Sequence, residues 1–185
     1  MVDRLKALEN FVLLTLGAID RPVSILHLEK EVFLLWNFHP DIHHYLNFVK
    51  HYKGPYSEEI SKIIRNPFYL NNCWEYYPPP PSDELTGGYV ELTDTGRQEY
   101  KKFYSEAKKR ESLLPLLSGI KMVREIYDKL SPEELLLLIY STYPEYTEYS
   151  KIYNNIKRKR VSLAKNLLKV GLIDTERFEE ITIDA

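Results

Sequence analysis

The chain has 185 residues, a formal charge of −2 and one cysteine, with 44% apolar and 28% charged residues. That length suits one compact unit, or one domain with a closely packed extension, and the charge gives no global pull on nucleic acid, so such contact needs a local basic patch. The lone Cys73 excludes an internal disulfide and a multi-cysteine metal site.

Met1 to Lys6 lacks the apolar core of a secretory signal. The longest apolar run, Leu135 to Tyr140, falls far short of the ~20 residues that span a bilayer. A cytoplasmic location is therefore expected. The 15 tyrosines against 7 phenylalanines fit half-buried seams or a binding surface, because each ring buries well while its hydroxyl needs a partner.

Residues 3–18 space Leu5, Leu8, Phe11, Val12, Thr15 and Leu16 as one helical stripe. Gly17, Asp20 and Pro22 punctuate, and a second helix is expected over Val23 to Asn37, ended by Pro40. Tyr45 to Tyr52 alternates, and Lys53-Gly54-Pro55 forces a turn, so this segment reads as extended. Ser57 with Glu58 and Glu59 opens a third helix to about Arg65.

Two runs rich in β formers, Cys73 to Tyr77 and Tyr89 to Leu92, flank four prolines and Gly87-Gly88 and predict a long-looped hairpin. Thr93 is placed to cap a fourth helix, reaching about Arg110, and Gly96 to let it pack closely on the strand. The order of these pieces gives the fold class: mostly α with a small β-hairpin, a winged-helix-type N-terminal module over 1–110. A helical extension over 111–185 is expected to pack on it.

Within the extension, a helix is expected over 112–129. Ser131-Pro132-Glu133-Glu134 carries a capping serine, a first-turn proline and a box-closing glutamate. Leu135 to Tyr140 is apolar all round and reads as central, and Pro144 breaks that helix. A last helix spans about 148–170 and stops at Gly171, while Leu172-Ile173 and Ile181 to Ile183 read as a small closing pair of strands.

Lys30, Phe33-Leu34-Leu35, Asn47-Phe48, Tyr52-Lys53-Gly54-Pro55-Tyr56-Ser57 and Ile60 together resemble the YwgA-like and Panacea-domain (antitoxin SocA-like) proteins. The resemblance covers roughly residues 25–140, and its sharp motif is the Gly-Pro turn; Lys53, inserted before that turn, departs from the usual pattern. It implies a non-enzymatic role linked to toxin neutralisation or phage-related settings, and it transfers no catalytic residue.

Three surfaces compete for function. From Lys151 to Val170 there are seven basic residues and no acidic one. At ~100° per residue, Lys151, Arg158, Lys165 and Lys169 fall on one face, opposite Ile152, Ile156, Leu163 and Leu167. That stripe suits phosphates, but the ordinary reading of such a run is a solvated face whose lysines pair with the acidic tail.

The third helix offers Lys62 and Arg65 as further candidates toward nucleic acid, but Glu58 and Glu59 stand at the end that usually meets bases. The hairpin has no lysine or arginine between Arg65 and Arg97 and carries Glu75, Asp83, Glu84 and Glu91, so a phosphate backbone would repel it. Its Trp74, Tyr76, Tyr77 and Tyr89 beside a polyproline run suit a protein interface, or equally a hairpin capping its own core.

His39, His43, His44 and His51 lack paired cysteines or a His-Glu-x-x-His helix, and no metal or other cofactor is expected. Tyr140, Tyr143, Tyr146, Tyr149 and Tyr153 read as packing residues, and no catalytic constellation is legible. The expectation is a non-catalytic regulator acting by macromolecular binding. Protein-partner recognition or self-association is favoured, and the alternative is a DNA-binding transcription regulator that uses the 151–170 helix.

Overall fold

The computed structural model describes residues 2–183. The fold is mostly helical with two small antiparallel sheets. The chain separates into two compact units: residues up to Phe48 with Ser57–Lys129, and Val49–Tyr56 with residues from Leu130 onward. Residues 111–129 thus group with the first unit.

The first unit holds α1 (Val2–Ala18), β1 (Val23–Ser24) and α2 (Ile25–Phe38). The chain crosses to the second unit for β2 (Val49–His51) and β3 (Gly54–Tyr56) and returns for α3 (Glu58–Arg65). Then come β4 (Trp74–Tyr77), β5 (Tyr89–Leu92), α4 (Asp94–Ala107) and α5 (Leu114–Tyr127). The sheet order is β1-β5-β4, all antiparallel, with Val23 opposite Val90 and Tyr77 opposite Tyr89.

Val23 and Ser24 do not begin the second helix; they pair with β5 as a short strand. Ser24 is instead its N-cap, accepting from the His27 amide at 3.1 Å. The amides of Ile25 and Leu26 donate to the carbonyls of Gly88 and Thr86, both at 2.9 Å, so the hairpin loop satisfies helix donors that would otherwise be orphaned. Every residue of α2 from Ile25 to Leu35 is buried, including His27, Glu29, Lys30 and Glu31. The core around it takes Val12 and Leu16 from α1, Ile60 and Ile64 from α3, Val90 from β5, and Leu117, Ile120 and Val123 from α5. Those last three residues tie α5 to the first unit.

Thr93 caps α4 through the Gly96 amide at 3.0 Å. Gly96 sits against the strand as expected: a Cβ there would lie 1.8 Å from the Cys73 carbonyl oxygen. Buried Glu9 on α1 accepts from the amides of Phe68, Tyr69 and Leu70 at 2.7, 2.8 and 2.8 Å, pinning the loop between α3 and β4.

In the second unit, β2 pairs with β3, β3 packs on α6 (Pro132–Thr142), and α7 (Tyr153–Lys169) packs on α6 and on α8 (Thr175–Thr182). The capping box of α6 is complete, with Ser131 accepting from the Glu134 amide and Glu134 accepting from the Ser131 amide. Leu135, Leu136 and Ile139 are fully buried. Past α7, Gly171 at φ 74° closes a Schellman turn: its amide donates to Leu168 and the Leu172 amide to Leu167, both at 3.0 Å.

The expected terminal strands are not there. Asp174 caps α8 through the Arg177 amide at 2.8 Å, Ile181 lies within that helix, and Ile183 lies past its end. An i, i+3 pattern (Phe178, Ile181) buries one helical side, whereas a two-residue strand has no partner to pair with. No helix among the described residues is long and apolar enough to cross a membrane.

Candidate functional site

The β4–β5 ribbon has two chemically different faces. Side chains alternate along a strand, so Trp74, Tyr76, Val90 and Leu92 turn inward while Glu75, Tyr77, Tyr89 and Glu91 turn outward. Trp74 is only 4% exposed, and its indole Nε1 donates to the Ile64 carbonyl at 3.2 Å. It is a core residue and forms no part of an exposed interface, which corrects the expectation for that position. Tyr76 is half-buried, donates to the Gly87 carbonyl at 3.0 Å, and lies under the Arg65 guanidinium 5.2 Å from its ring centre.

The outward face is acidic and aromatic. Glu75 stands directly opposite Glu91, and Tyr77 opposite Tyr89, with both tyrosines more than 40% exposed. Like charges in directly opposed strand positions destabilise a sheet. Part of the charge is taken up by the Tyr77 hydroxyl, which donates to Glu75 Oε2 at 2.5 Å. The hydrogen bond to Glu75, then burial, then the bond to Glu91 push the Tyr77 phenol up to about 12. Asp83, by contrast, spends its carboxylate locally on the amides of Leu85 and Thr86 at 3.0 and 2.9 Å.

The third helix has little cationic surface to offer. Lys62 pairs with Glu58 at 2.8 Å, and Arg65 folds back onto Ser61, donating to its carbonyl at 3.2 Å.

The basic segment is shorter than expected as a helix. Lys151 precedes α7, its amide donates to the Tyr52 carbonyl at 3.0 Å, and its ammonium lies 4.1 Å from the Tyr52 ring centre. It therefore does not belong to the helical stripe. Arg158, Lys165 and Lys169 do share a face and are exposed, opposite buried Ile156, Leu163 and Leu167. Among the described residues these three cations make no ion pair or side-chain hydrogen bond with the tail. Lys159 pairs with Glu133 on α6 at 2.9 Å, while Glu180 is engaged by Arg177 at 2.7 Å within α8.

The histidines are used separately. His43 stacks on Trp36 with ring centres 4.1 Å apart, and His51 stacks on Tyr56 at 4.6 Å. Among the described residues no three histidine, cysteine or acidic side chains converge in a way that could hold a metal ion. Cys73 is buried, and that burial pushes its thiol up, away from reactive thiolate.

The direct opposition of Glu75 and Glu91 is the feature of this surface that sequence reasoning missed. Their charges were visible one at a time, but their pairing depends on the strand register. No family model matches the chain, and no curated protein matches it.

Proposed function

We propose that this chain is a non-catalytic, winged-helix-type regulatory protein that acts by binding another macromolecule, and that its partner is a protein, met in an antitoxin-like way. Within the first unit, which leaves out the β2–β3 pair between α2 and α3, the element order α1–β1–α2–α3–β4–β5, with β1 and β4 on either side of β5, supports the winged-helix reading. The antitoxin-like form of the role rests on the resemblance carried by Tyr52 to Ser57.

One observation carries the partner class: the outward face of the ribbon, where Glu75, Glu91, Tyr77 and Tyr89 meet. An arginine-bearing surface answers both parts of it. The guanidinium fork takes a carboxylate bidentately and stacks on a tyrosine ring, and docking relieves the repulsion between opposed carboxylates. A phosphate backbone does neither.

The test is photo-crosslinking in the native cell from a benzophenone residue at position 89. Expected is one major protein adduct that disappears in the Glu75→Lys, Glu91→Lys double variant while the fold is retained. An adduct indifferent to that charge reversal overturns the reading.

A second reading has its own observation. The exposed, unpaired face of Arg158, Lys165 and Lys169 supports contact with phosphates by a DNA-binding regulator. Fluorescence anisotropy against duplex DNA at about 50 mM and about 200 mM salt separates the two readings, because released counterions give a steep salt slope. Arg158→Glu with Lys165→Glu abolishes that binding if the helix carries it; absence of binding at the lower salt removes the reading.

A further inference from the structure

A cleft of about 540 Å³ opens in the first unit between α1, the short turn after α2 and the junction of α4 with α5. Its walls include Leu8, Phe11, Leu14, Ile42, Leu46 and Leu117, all of them buried apolar residues. The size lies inside the ~300–1,000 Å³ range of sites that enclose small organic molecules. An apolar cleft of this depth lowers its free energy by exchanging water for hydrocarbon.

Two polar groups on the lining have bonding capacity to spare. Arg110 lines the cleft from the end of α4, and among the described residues its guanidinium makes no hydrogen bond or ion pair. Its neighbour Glu106 is already held by Lys109 at 2.6 Å. Among the described residues the buried Nδ1 of His39, also on the lining, has no hydrogen-bond partner, and its ion-pair contact with exposed Asp41 Oδ2 is long at 3.9 Å. A buried polar atom left unbonded is unfavourable until something bonds it.

We propose that this cleft binds a small monocarboxylic acid with an apolar body, the carboxylate being received by Arg110 and the His39 ring supplying a second polar contact. The inference goes beyond macromolecular binding and does not depend on it. A guanidinium without an internal partner matches a carboxylate in both charge and fork geometry. Asp41 is the carboxylate on the lining; with its side chain 83% exposed, it lies in solvent, where its repulsion of a bound acid is screened. His44, the remaining imidazole on the lining, is exposed.

The test is isothermal titration of the full chain with decanoate, decanol and decylammonium, each below its self-association concentration. Decanoate is expected to bind one-to-one and at least tenfold more tightly than the other two. Arg110→Gln, at an exposed position, should bring decanoate down to the level of decanol. Ala7→Phe, which fills the cleft from α1, should weaken all binding while the thermal midpoint is held. Equal binding of decanoate and decanol, tighter binding of decylammonium, an unchanged affinity in Arg110→Gln, or no saturable binding each overturns the proposal.

Discussion

Glu31 and Arg124 form an ion pair 2.7 Å long in which neither side chain reaches solvent. Arg124 also holds Asp128 at 2.9 Å, and Asp128 is shared with Arg21 from the loop after α1. The pair joins α2 to α5 through charge in the middle of an apolar core. Among the described residues only one Glu31 oxygen is engaged; Oε1 has no hydrogen-bond partner, nor have Nε and Nη2 of Arg124.

Desolvation outweighs the attraction of Arg124 and raises the Glu31 carboxyl from 4.5 to about 7. In the unfolded chain the proton leaves near pH 4.5, whereas the folded chain keeps it to about pH 7. Stability from this group is therefore fully present below pH 4.5 and falls as pH rises through the window to about 7. Urea denaturation at a series of pH values should show that decline, and Glu31→Gln should flatten it. A wild-type stability that climbs across the window contradicts the assignment.

Gly96 and Gly171 should respond differently to alanine. At Gly96 the new methyl would drive into the Cys73 carbonyl, so the α4–β4 packing must open, at a cost of about 2–4 kcal/mol. At Gly171 nothing lies within 4 Å, and the penalty is that of a side chain at φ 74°, about 1 kcal/mol. Thermal melts of the two variants check the order; equal losses would contradict the crowding at Gly96.

Glu9→Gln replaces a carboxylate oxygen with an amide group that donates where a donor already points. The amides of Phe68 to Leu70 lose part of their acceptor, costing about 2–3 kcal/mol. Hydrogen exchange should speed up at residues 68–70 before it does in the helices. Unchanged protection there would refute the role given to Glu9.

The Tyr77 phenol should ionise only at high pH, above the ordinary tyrosine value of 10. Its carboxylate neighbours disfavour the phenolate, so Glu75→Gln should return its titration from about 12 toward 10. Ultraviolet absorbance at high pH, with Tyr77→Phe to assign the transition, measures this directly. No change in Glu75→Gln would disconnect the two side chains.

Much of the fold was legible because its signals are local. Thr93, Ser131 and Gly171 act through their own turns, and each does in the structure what its chemistry implies. The hairpin strands were equally readable, since alternation and bracketing turn residues need no knowledge of partners. Errors arose where a partner decides. Val23 and Ser24 become strand only because β5 is there to pair with them, and Ile181 turned out helical because Asp174, a capable cap, went unweighed.

The sites were less legible, for the same reason. Trp74 and Tyr77 belong to one aromatic run, yet register sends one ring inward and the other out. Lys151 kept its charge but lost its place on the stripe once α7 started at Tyr153. The cleft beside Arg110 draws on segments from Ala7 to Leu117, and no window along the chain contains it.

The strand pair from Val49 to Tyr56 belongs with α6 and the turn at Pro144–Thr147, more than seventy residues downstream, although α2 and α3 flank it in the chain. No single cut therefore separates the two units: a fragment ending at Lys129 keeps a ribbon stripped of α6, and one beginning at Leu130 lacks the ribbon that Tyr140 packs against at Gly54. Isolating either half takes three incisions and a rejoined backbone, with Phe48 spliced to Ser57 on one side and Tyr56 linked to Leu130 on the other.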